Sequence, residues 1–541
     1  MKLEEDRLTK VYTSFQQWID WQAAGYTQLP YIVQIPLQDQ LLPDSWEQLW
    51  QEQMPYSFIL ENGKNGRYSY LGLSPISILS GQDGQAHIRN ATSITPILSW
   101  QHVQPEYVAD ASYTGKPLDI LRTWMSTDRA PRLEEVPPFT GGCVGFLSYD
   151  VARSLEKLPD RLSNDLGMPD YLWMKFNQVW VIDHIEKQLY CCVHTLINEH
   201  TDHQQDYDYA ATCAMQMAEK WKHMIQQSQL SSTLARKQFL AEHPVALSDS
   251  RTDGYGFETG FDQVQFEKAV QTIQEYIRQG DVFQVNLSLR SQRPLTSAPE
   301  SVYEWLRLTN PSPYMGLLRT PDFHLVSASP ELLVRVVDGK VSARPIAGTR
   351  RRGTTDIEDQ AMEDDLLSNE KERAEHIMLV DLQRNDLGRI AKYGTVRVPE
   401  LMTIERYSHV MHLVSGVEGE LADSKDVYDV IAAVFPGGTI TGAPKVRTME
   451  IIEELEQTRR GAYTGSMGWI DYNGNMELNI IIRTLTVKDN IAYMQAGAGV
   501  VIDSVPYREY RECFNKSRAI ARAVMLSEQY DQVQAEKGRI L

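Results

Sequence analysis

Two pairs of glutamates, each on one face of a predicted helix, are the residues of this sequence best placed to do chemistry. Glu372 and Glu375 are spaced i, i+3, and Glu509 and Glu512 repeat that spacing further along the chain. If the two helices converge, their carboxylates can hold Mg²⁺, which takes oxygen ligands and keeps waters that a substrate carboxylate can replace. Taken singly, each helix is explained more simply as a charged face in water.

The helices that must position these carboxylates are predicted from their sequence patterns. The first covers residues 368–382 and places its acids at the edge of an apolar face. The second begins near Asp503, with Pro506 in its first turn, and Lys516 follows one turn beyond Glu512 on the same face. Two separate helices therefore have to meet for a metal site to form.

Other polar residues could act on an anionic substrate. Arg483 lies in a predicted strand, residues 480–487, where a charge among apolar side chains needs a buried anionic partner. His409 and His412 are three apart, not the four that a zinc-binding helix requires, so one is predicted to be a polar catalytic group and the other a packing residue.

A strap rich in glycine and proline, residues 435–445, precedes a predicted amphipathic helix at residues 445–456. Free backbone N–H groups and the positive end of the helix dipole suit an anionic ligand there, and Lys445 adds charge. A turn of this composition before a helix more often only connects two elements and binds no ligand.

The sequence around Cys143, Gly-Gly-Cys-Val-Gly, matches the nucleophile elbow of glutaminases. An elbow must lead into a helix, whereas residues 146–149 continue as a strand, so we predict that Cys143 is a small core residue. The five cysteines are odd in number and have no framework spacing, which indicates free thiols in a reducing cytoplasm and no structural zinc.

Composition excludes several classes of function. The 541 residues are 42% hydrophobic and 23% charged, as in ordinary globular proteins, and the net charge of −19 argues against nucleic acid as the main partner. No apolar run is long enough to span a membrane, and the N-terminus does not resemble a signal peptide.

Alternation of short strands with helices predicts an α+β sandwich of mostly antiparallel sheets. A polar stretch at residues 226–262 has no periodic apolar face, so we predict an N-terminal domain at residues 1–245 and a catalytic domain at 246–541. A dinucleotide-binding oxidoreductase is an alternative, but no G-x-G-x-x-G follows a strand.

Taken together, these motifs resemble the chorismate-utilising enzymes, and the resemblance covers nearly the whole chain. In the N-terminal part it rests on residues 60–62 and 66–69, and in the rest on the ordered motifs between about 260 and 520. Within that family the chain is most similar to the aminodeoxychorismate synthase component I enzymes, and next to the component I of anthranilate synthases.

The resemblance implies roles for individual residues. Glu375 with Glu509 or Glu512 would hold Mg²⁺, Glu372 would belong to the same cluster, and the metal would anchor the ring carboxylate of chorismate. His412 would protonate or steer the leaving hydroxyl. The residues implied to hold the substrate carboxylates are Tyr463, Arg483, Gly497, Gly499 and Lys516, and those implied to line the ring are Gly348, Thr349 and Thr439.

Gln284 favours amination, because relatives that add water to chorismate carry a lysine base there, whereas ammonia is itself a nucleophile. The expected function is therefore Mg²⁺-dependent amination of chorismate to 4-amino-4-deoxychorismate, for para-aminobenzoate and folate synthesis. The ammonia would come from a separate glutamine amidotransferase subunit. The remaining alternatives are an anthranilate synthase component I and a non-catalytic regulatory subunit.

The residues that bear on the product, 4-amino or 2-amino, favour opposite answers. Many aminodeoxychorismate synthases have a lysine nucleophile where this chain has Ala347, and anthranilate synthases have alanine there. Against this, the glycine-rich strap resembles the aminodeoxychorismate type.

Asn62 replaces the serine of the Leu-Leu-Glu-Ser motif of tryptophan-inhibited anthranilate synthases, so we expect weak inhibition by tryptophan, or none.

Overall fold

The computed structural model describes residues 9–37, 45–50, 54–63, 66–92, 106–198, 202–228, 232–243, 256–406 and 410–540. Twelve α-helices and 25 strands lie in these ranges. The helices are α1 Phe15–Ala23, α2 Pro117–Met125, α3 Ala152–Leu155, α4 His203–Ser228, α5 Ser232–Glu242, α6 Gln263–Arg278, α7 Pro299–Thr309, α8 Asp356–Ser368, α9 Glu370–Gly388, α10 Val427–Val434, α11 Lys445–Leu455 and α12 Pro506–Ile540.

The strands alternate with these helices along the chain. They are β1 Lys10–Val11, β2 Gln28–Pro36, β3 Ser57–Glu61, β4 Tyr68–Gly72, β5 Ser77–Gln82, β6 Gln85–Ala91, β7 Tyr107–Thr114, β8 Gly142–Leu147, β9 Tyr171–Phe176, β10 Gln178–Asp183, β11 Gln188–Leu196, β12 Glu258–Thr259, β13 Gln284–Pro294, β14 Tyr314–Arg319, β15 Phe323–Ser329, β16 Leu332–Val337, β17 Lys340–Ala343, β18 Ile346–Arg351, β19 Arg397–Arg406, β20 Val410–Glu420, β21 Gly442–Ala443, β22 Ser466–Asp471, β23 Met476–Ile480, β24 Thr484–Lys488 and β25 Ile491–Val500.

The strands form two large antiparallel sheets, which confirms the predicted α+β class. Sheet 1 runs β1-β2-β11-β10-β4-β3-β14-β15-β24-β25-β13-β12, with β21 paired to β13. Sheet 2 runs β18-β20-β17-β16-β23-β22-β8-β9-β5-β6-β7, with β19 paired to β20. Each sheet joins N-terminal to C-terminal strands, through β3–β14 in sheet 1 and β8–β22 in sheet 2.

The two sheets pack face to face, and helices cover both outer faces. Phe58 and Tyr70 of sheet 1 meet Phe146 and Trp469 of sheet 2 in one buried cluster. Helices α1, α4, α6, α7, α11 and α12 cover the outer face of sheet 1, and α2, α9 and α10 cover that of sheet 2. Cys191 and Cys192 point to opposite faces of β11, as predicted, since the two belong to different clusters.

The helices that carry the glutamates form close to where the sequence predicts them. Helix α9 begins after Asn369, whose side chain accepts the backbone N–H of Glu372 at 3.1 Å, and α12 begins at Pro506. In the described part of the chain, no helix is both long and apolar enough to cross a membrane.

Two predictions of local structure are wrong. The predicted polar linker contains α5, whose one buried apolar side chain, Phe239, packs on Trp305 and Tyr530. So short a helix has too few apolar residues to show a period. The predicted strand at 480–487 is broken, because Ile480 ends β23 in sheet 2 and Thr484 begins β24 in sheet 1.

The predicted domain boundary at 245/246 lies outside the described residues, so the two-domain division stays a prediction.

Candidate active site

Helix α9 and strand β13 meet at a partly buried glutamine–glutamate contact. The amide of Gln284 donates to Glu375 Oε1 at 3.0 Å. Burial raises the pKa of Glu375, the Gln284 hydrogen bond lowers it, and the neighbouring charge of Glu372 raises it further. On β25, a Cβ atom at Gly499 would lie 2.4 Å from the Gln284 amide nitrogen, so only glycine leaves room for this glutamine.

Helix α12 brings its own pair of glutamates to the same region. Lys516 donates to the backbone carbonyl of Gly497 at 2.9 Å and forms an ion pair with Glu512 at 2.8 Å. Burial raises the pKa of Glu509, and the charge of Glu512 raises it further. Lys371 and Lys516 lower the pKa of both Glu375 and Glu509, so the acids of α9 and α12 lie within electrostatic reach of the same two ammonium groups.

These carboxylates are assembled loosely for a metal site. Among the described residues, no three histidine, cysteine, aspartate or glutamate side chains come together closely enough to share a metal ion. The donor chemistry nevertheless fits Mg²⁺, which takes one or two carboxylates and completes its shell with water and substrate oxygens. Glu375 and Glu509 are the half-buried acids that no described lysine or arginine side chain pairs with directly.

Next to Glu372, β18 and β20 hold a histidine and a threonine together. Thr349 Oγ1 and His412 Nδ1 are 3.0 Å apart, and that nitrogen is 3.3 Å from the carbonyl oxygen of Gly348. Gly348 has a φ of +65°, and a Cβ there would approach a Glu372 oxygen to 2.9 Å. Glu372 in turn accepts from Arg350 at 3.0 Å. His409 lies outside the described residues.

Arg483 lies in the crossover between the sheets, with a left-handed φ of +51°. No carboxylate in the described ranges lies within ion-pair distance of its guanidinium, so the buried anionic partner expected from the sequence is not a protein group there. Burial lowers the pKa of Arg483, although the charges of Tyr463 and Glu512 act to raise it. Arg483 in turn lowers the pKa of His412. This geometry suits a substrate carboxylate.

Tyr463 closes the site next to β25. A Cβ at Gly497 would lie 2.9 Å from both the Tyr463 hydroxyl and Asn286 Oδ1. Because Gly497 has no side chain, the Tyr463 hydroxyl can lie close to β25. The Gly497 carbonyl on that strand accepts the hydrogen bond from Lys516.

One acid of this cluster was not predicted from the sequence. Glu331, in the turn between β15 and β16, is 7% exposed, and its Oε1 has no hydrogen-bond partner in the described structure. Burial raises its pKa to about 7, although the Thr439 hydroxyl and the Lys516 ammonium both act to lower it. The signal in the sequence was a lone acid after Ser329-Pro330 between two apolar strands.

Contacts in the structure bear on two further predictions, those for Lys445 and Cys143. The strap does not offer Lys445 to a ligand, because its ammonium donates to Asp386 at 2.8 Å and to the carbonyl of Val434 at 3.2 Å. The lysine therefore adds no free charge there, and the anion site predicted from the backbone of the strap stays a prediction. Cys143 is fully buried within β8, and no helix follows it directly, which confirms that it is a core residue.

The chain is similar to several known proteins. Residues 56–522 match the family described as chorismate binding enzyme. The chain is 44% identical over 497 residues to aminodeoxychorismate synthase component 1 of Bacillus subtilis (strain 168), covering 92% of this chain and 97% of that protein. It is 39% identical over 480 residues to anthranilate synthase component 1 of Acetivibrio thermocellus, covering 87% and 91% respectively.

The crystal structure of anthranilate synthase component I from Streptococcus pneumoniae TIGR4 has the same fold, with a TM-score of 0.66 and 32% identity over 84% of this chain and 92% of that one. Because the family match spans most of the residues, and the side chains above lie inside it, the chain belongs to the chorismate-binding enzymes.

Proposed function

We propose that this chain aminates chorismate to 4-amino-4-deoxychorismate, as the component 1 of an aminodeoxychorismate synthase. In this reaction ammonia forms the new C–N bond at ring carbon 4, and the hydroxyl there leaves as water. The similarity to the Bacillus subtilis enzyme over 92% of the chain supports this choice. The name component 1 supports a second subunit, and we propose that it is a glutamine amidotransferase that supplies the ammonia.

The observation that carries amination is the Gln284–Glu375 contact. A neutral amide cannot take a proton from water, so this position offers no base for adding water to chorismate. Ammonia brings its own lone pair and needs only to be held beside the ring. The amide also fixes one oxygen of Glu375, which leaves its second oxygen available to a ligand.

We propose that Glu375 and Glu509 hold Mg²⁺, with Glu512 close by. A bound Mg²⁺ supplies positive charge that orients an anionic substrate. Arg483 and Lys516 would bind the two carboxylates of chorismate from either side, with Tyr463 donating a hydrogen bond. Since no carboxylate among the described residues lies beside Arg483, binding the substrate would supply its counter-ion.

For the departing hydroxyl, Glu331 is a better proton donor than His412. A pKa of about 7 leaves a large fraction of Glu331 protonated at neutral pH. Burial and Arg483 lower the pKa of His412, so the imidazole is neutral and holds its proton toward Gly348 or Thr349. We therefore propose that Glu331 protonates the leaving oxygen and that His412 orients the ring.

The test is product identification after incubating the purified chain with chorismate, Mg²⁺ and ammonium. We expect an aminated product by mass spectrometry without pyruvate release, because the enolpyruvyl group stays attached. Ala347, which cannot act as a nucleophile, favours the second candidate, an anthranilate synthase component I. Stoichiometric pyruvate with a fluorescent ortho-aminobenzoate would decide for that candidate.

A further inference from the structure

Arg460, in the turn after α11, is 3% exposed and uses every N–H group of its guanidinium. A guanidinium has five such donors in a rigid plane. The acceptors are Glu456 Oε2 at 3.0 Å, Glu456 Oε1 at 2.7 Å, the Asn286 carbonyl at 2.6 Å, the Ile440 carbonyl at 3.0 Å and Thr464 Oγ1 at 3.2 Å.

These acceptors belong to segments that carry the site. Ile440 follows Thr439 in the strap, and Asn286 lies two residues beyond Gln284 in β13. The Asn286 amide also donates to the Ile440 carbonyl at 2.8 Å, so Arg460 and Asn286 converge on one oxygen of the strap. One cation thus fixes the distance between the strap and β13.

The counter-ion extends the connection to β25. Glu456 Oε1 accepts from the backbone N–H of Ser288 at 2.9 Å and from its hydroxyl at 2.7 Å. Ser288 is paired with Gly497, the residue whose carbonyl receives Lys516. Through Ser288, the Arg460–Glu456 pair is therefore connected to the β13–β25 register that positions Gly497.

Aromatic contacts link Arg460 to the substrate side. Its guanidinium carbon lies 4.9 Å from the ring centroid of Tyr149 and 5.5 Å from that of Tyr463. The Tyr463 backbone N–H also donates to the Arg460 carbonyl at 3.2 Å. Tyr463 is thereby fixed through both its ring and its main chain, while its hydroxyl faces Gly497.

We propose that the buried Arg460–Glu456 pair positions the active site, setting Tyr463, the strap and β13 at the spacing that substrate binding needs. Neither residue touches substrate in this role. A purely structural pair would stabilise the fold without affecting how chorismate binds. Lysine cannot replace the arginine, because an ammonium has three donors and no plane to lie beside two rings.

The test uses Arg460→Lys and Glu456→Gln in the full chain, with kcat and KM for chorismate measured at saturating Mg²⁺ and ammonium. Misplacing a binding group by about 1 Å costs on the order of 10²-fold in kcat/KM. We expect losses of that size, with a raised KM, in protein whose melting temperature stays well above the assay temperature.

A double-variant cycle with Tyr463→Phe separates positioning from bulk stability. If Arg460 acts through Tyr463, the double variant Arg460→Lys/Tyr463→Phe should lose far less than the product of the two single losses. Multiplicative losses, or an unchanged KM in folded Arg460→Lys and Glu456→Gln, would overturn the proposal. So would unfolding of both variants, which would assign the pair to stability.

Arg319 provides a matched control. It is also buried, donates to Glu300 at 2.6 Å and to the Met54 carbonyl at 2.8 Å, and lies 5.1 Å from the Trp50 ring, but touches no site residue. Arg319→Lys should lower the melting temperature and leave KM unchanged. The positioning role rests on the proposed function. A wild-type chain that does not consume chorismate would refute that function. Normal wild-type turnover with unaffected variants would refute only the positioning role.

Discussion

Two acids of the site, Glu375 and Glu331, differ in what surrounds them, and this difference suits them to different chemistry. Burial raises the pKa of Glu375, but a hydrogen bond from Gln284 and two nearby lysines act in the other direction and favour its ionised form. Glu331 has one oxygen without a partner, and burial keeps its pKa near 7. One carboxyl group is thereby suited to holding a cation and the other to giving up a proton.

Replacing Glu375 by Gln should reduce turnover by about two orders of magnitude or more, because it keeps the shape but removes a charge from the proposed Mg²⁺ site. Calorimetric titration should show weaker Mg²⁺ binding in the same variant. Glu370→Gln, an exposed acid on the same helix, is the control and should behave as wild type. Full activity of Glu375→Gln, or of wild type in excess chelator, would contradict the assignment.

Glu331 should control the pH dependence of turnover. Its raised pKa means that the acid is protonated below about pH 7, so kcat should fall as the pH rises above that value. Because free ammonia also increases with pH, its concentration must be held constant across the series. Glu331→Gln should lower kcat by about 10²- to 10⁴-fold and remove this falling limb. A limb that persists in the variant would assign it to another group.

Local sequence signals predicted the helices well and the sheet crossing poorly. The capping residue, first-turn proline and apolar spacing of α9, α11 and α12 are local, so these helices lie near their predicted positions. The run around Arg483 reads as one continuous strand, because nothing in its neighbours indicates that Ile480 and Thr484 belong to different sheets. Glu331 was missed for the same reason, since Thr439 and Lys516, which act on its carboxyl group, lie more than 100 residues away along the chain.

Strand β8 determines the nitrogen source that the lone chain can use. Cys143 is buried in that strand, and burial raises the pKa of its thiol, so no thiolate is available to attack glutamine. We expect activity with ammonium in both wild type and Cys143→Ser, and none with glutamine until an amidotransferase subunit is added. Glutamine use by the lone wild-type chain, lost in this variant, would show that the thiol is catalytic.

The segment after β3 and the start of β14 line one cavity of about 380 Å³, which contains Asn62, Pro313, Tyr314 and Trp469. An amide in place of a smaller serine crowds this space, so we expect tryptophan to inhibit weakly or not at all. Inhibition curves of wild type and Asn62→Ser should differ, with the variant more sensitive. Strong inhibition of wild type at low micromolar tryptophan would favour the anthranilate synthase alternative.

The two halves of the chain share both sheets instead of building one sheet each. Strand β3 pairs with β14 over five residues, and β8 pairs with β22 over six. The active site itself uses strands from the C-terminal half only, but those strands continue into N-terminal ones without a break. Stability and catalysis are therefore properties of the whole molecule.

This arrangement predicts a single unfolding transition. Calorimetry of the full chain should give equal calorimetric and van't Hoff enthalpies, because neither half can lose its strands alone. Residues 1–245 and 246–541 expressed separately should be unfolded or aggregated. Two resolved transitions, or a stable isolated half, would instead support independent domains.

The β3–β14 pairing also has a consequence during synthesis on the ribosome. Strand β3 emerges about 250 residues before its partner in sheet 1, and β8 waits even longer for β22. At roughly 5–20 residues per second, the unpaired edge of β3 is exposed for on the order of ten to fifty seconds. An exposed apolar strand edge is a template for aggregation. Slow or chaperone-poor expression should therefore reduce the yield of this protein more than its final stability would suggest.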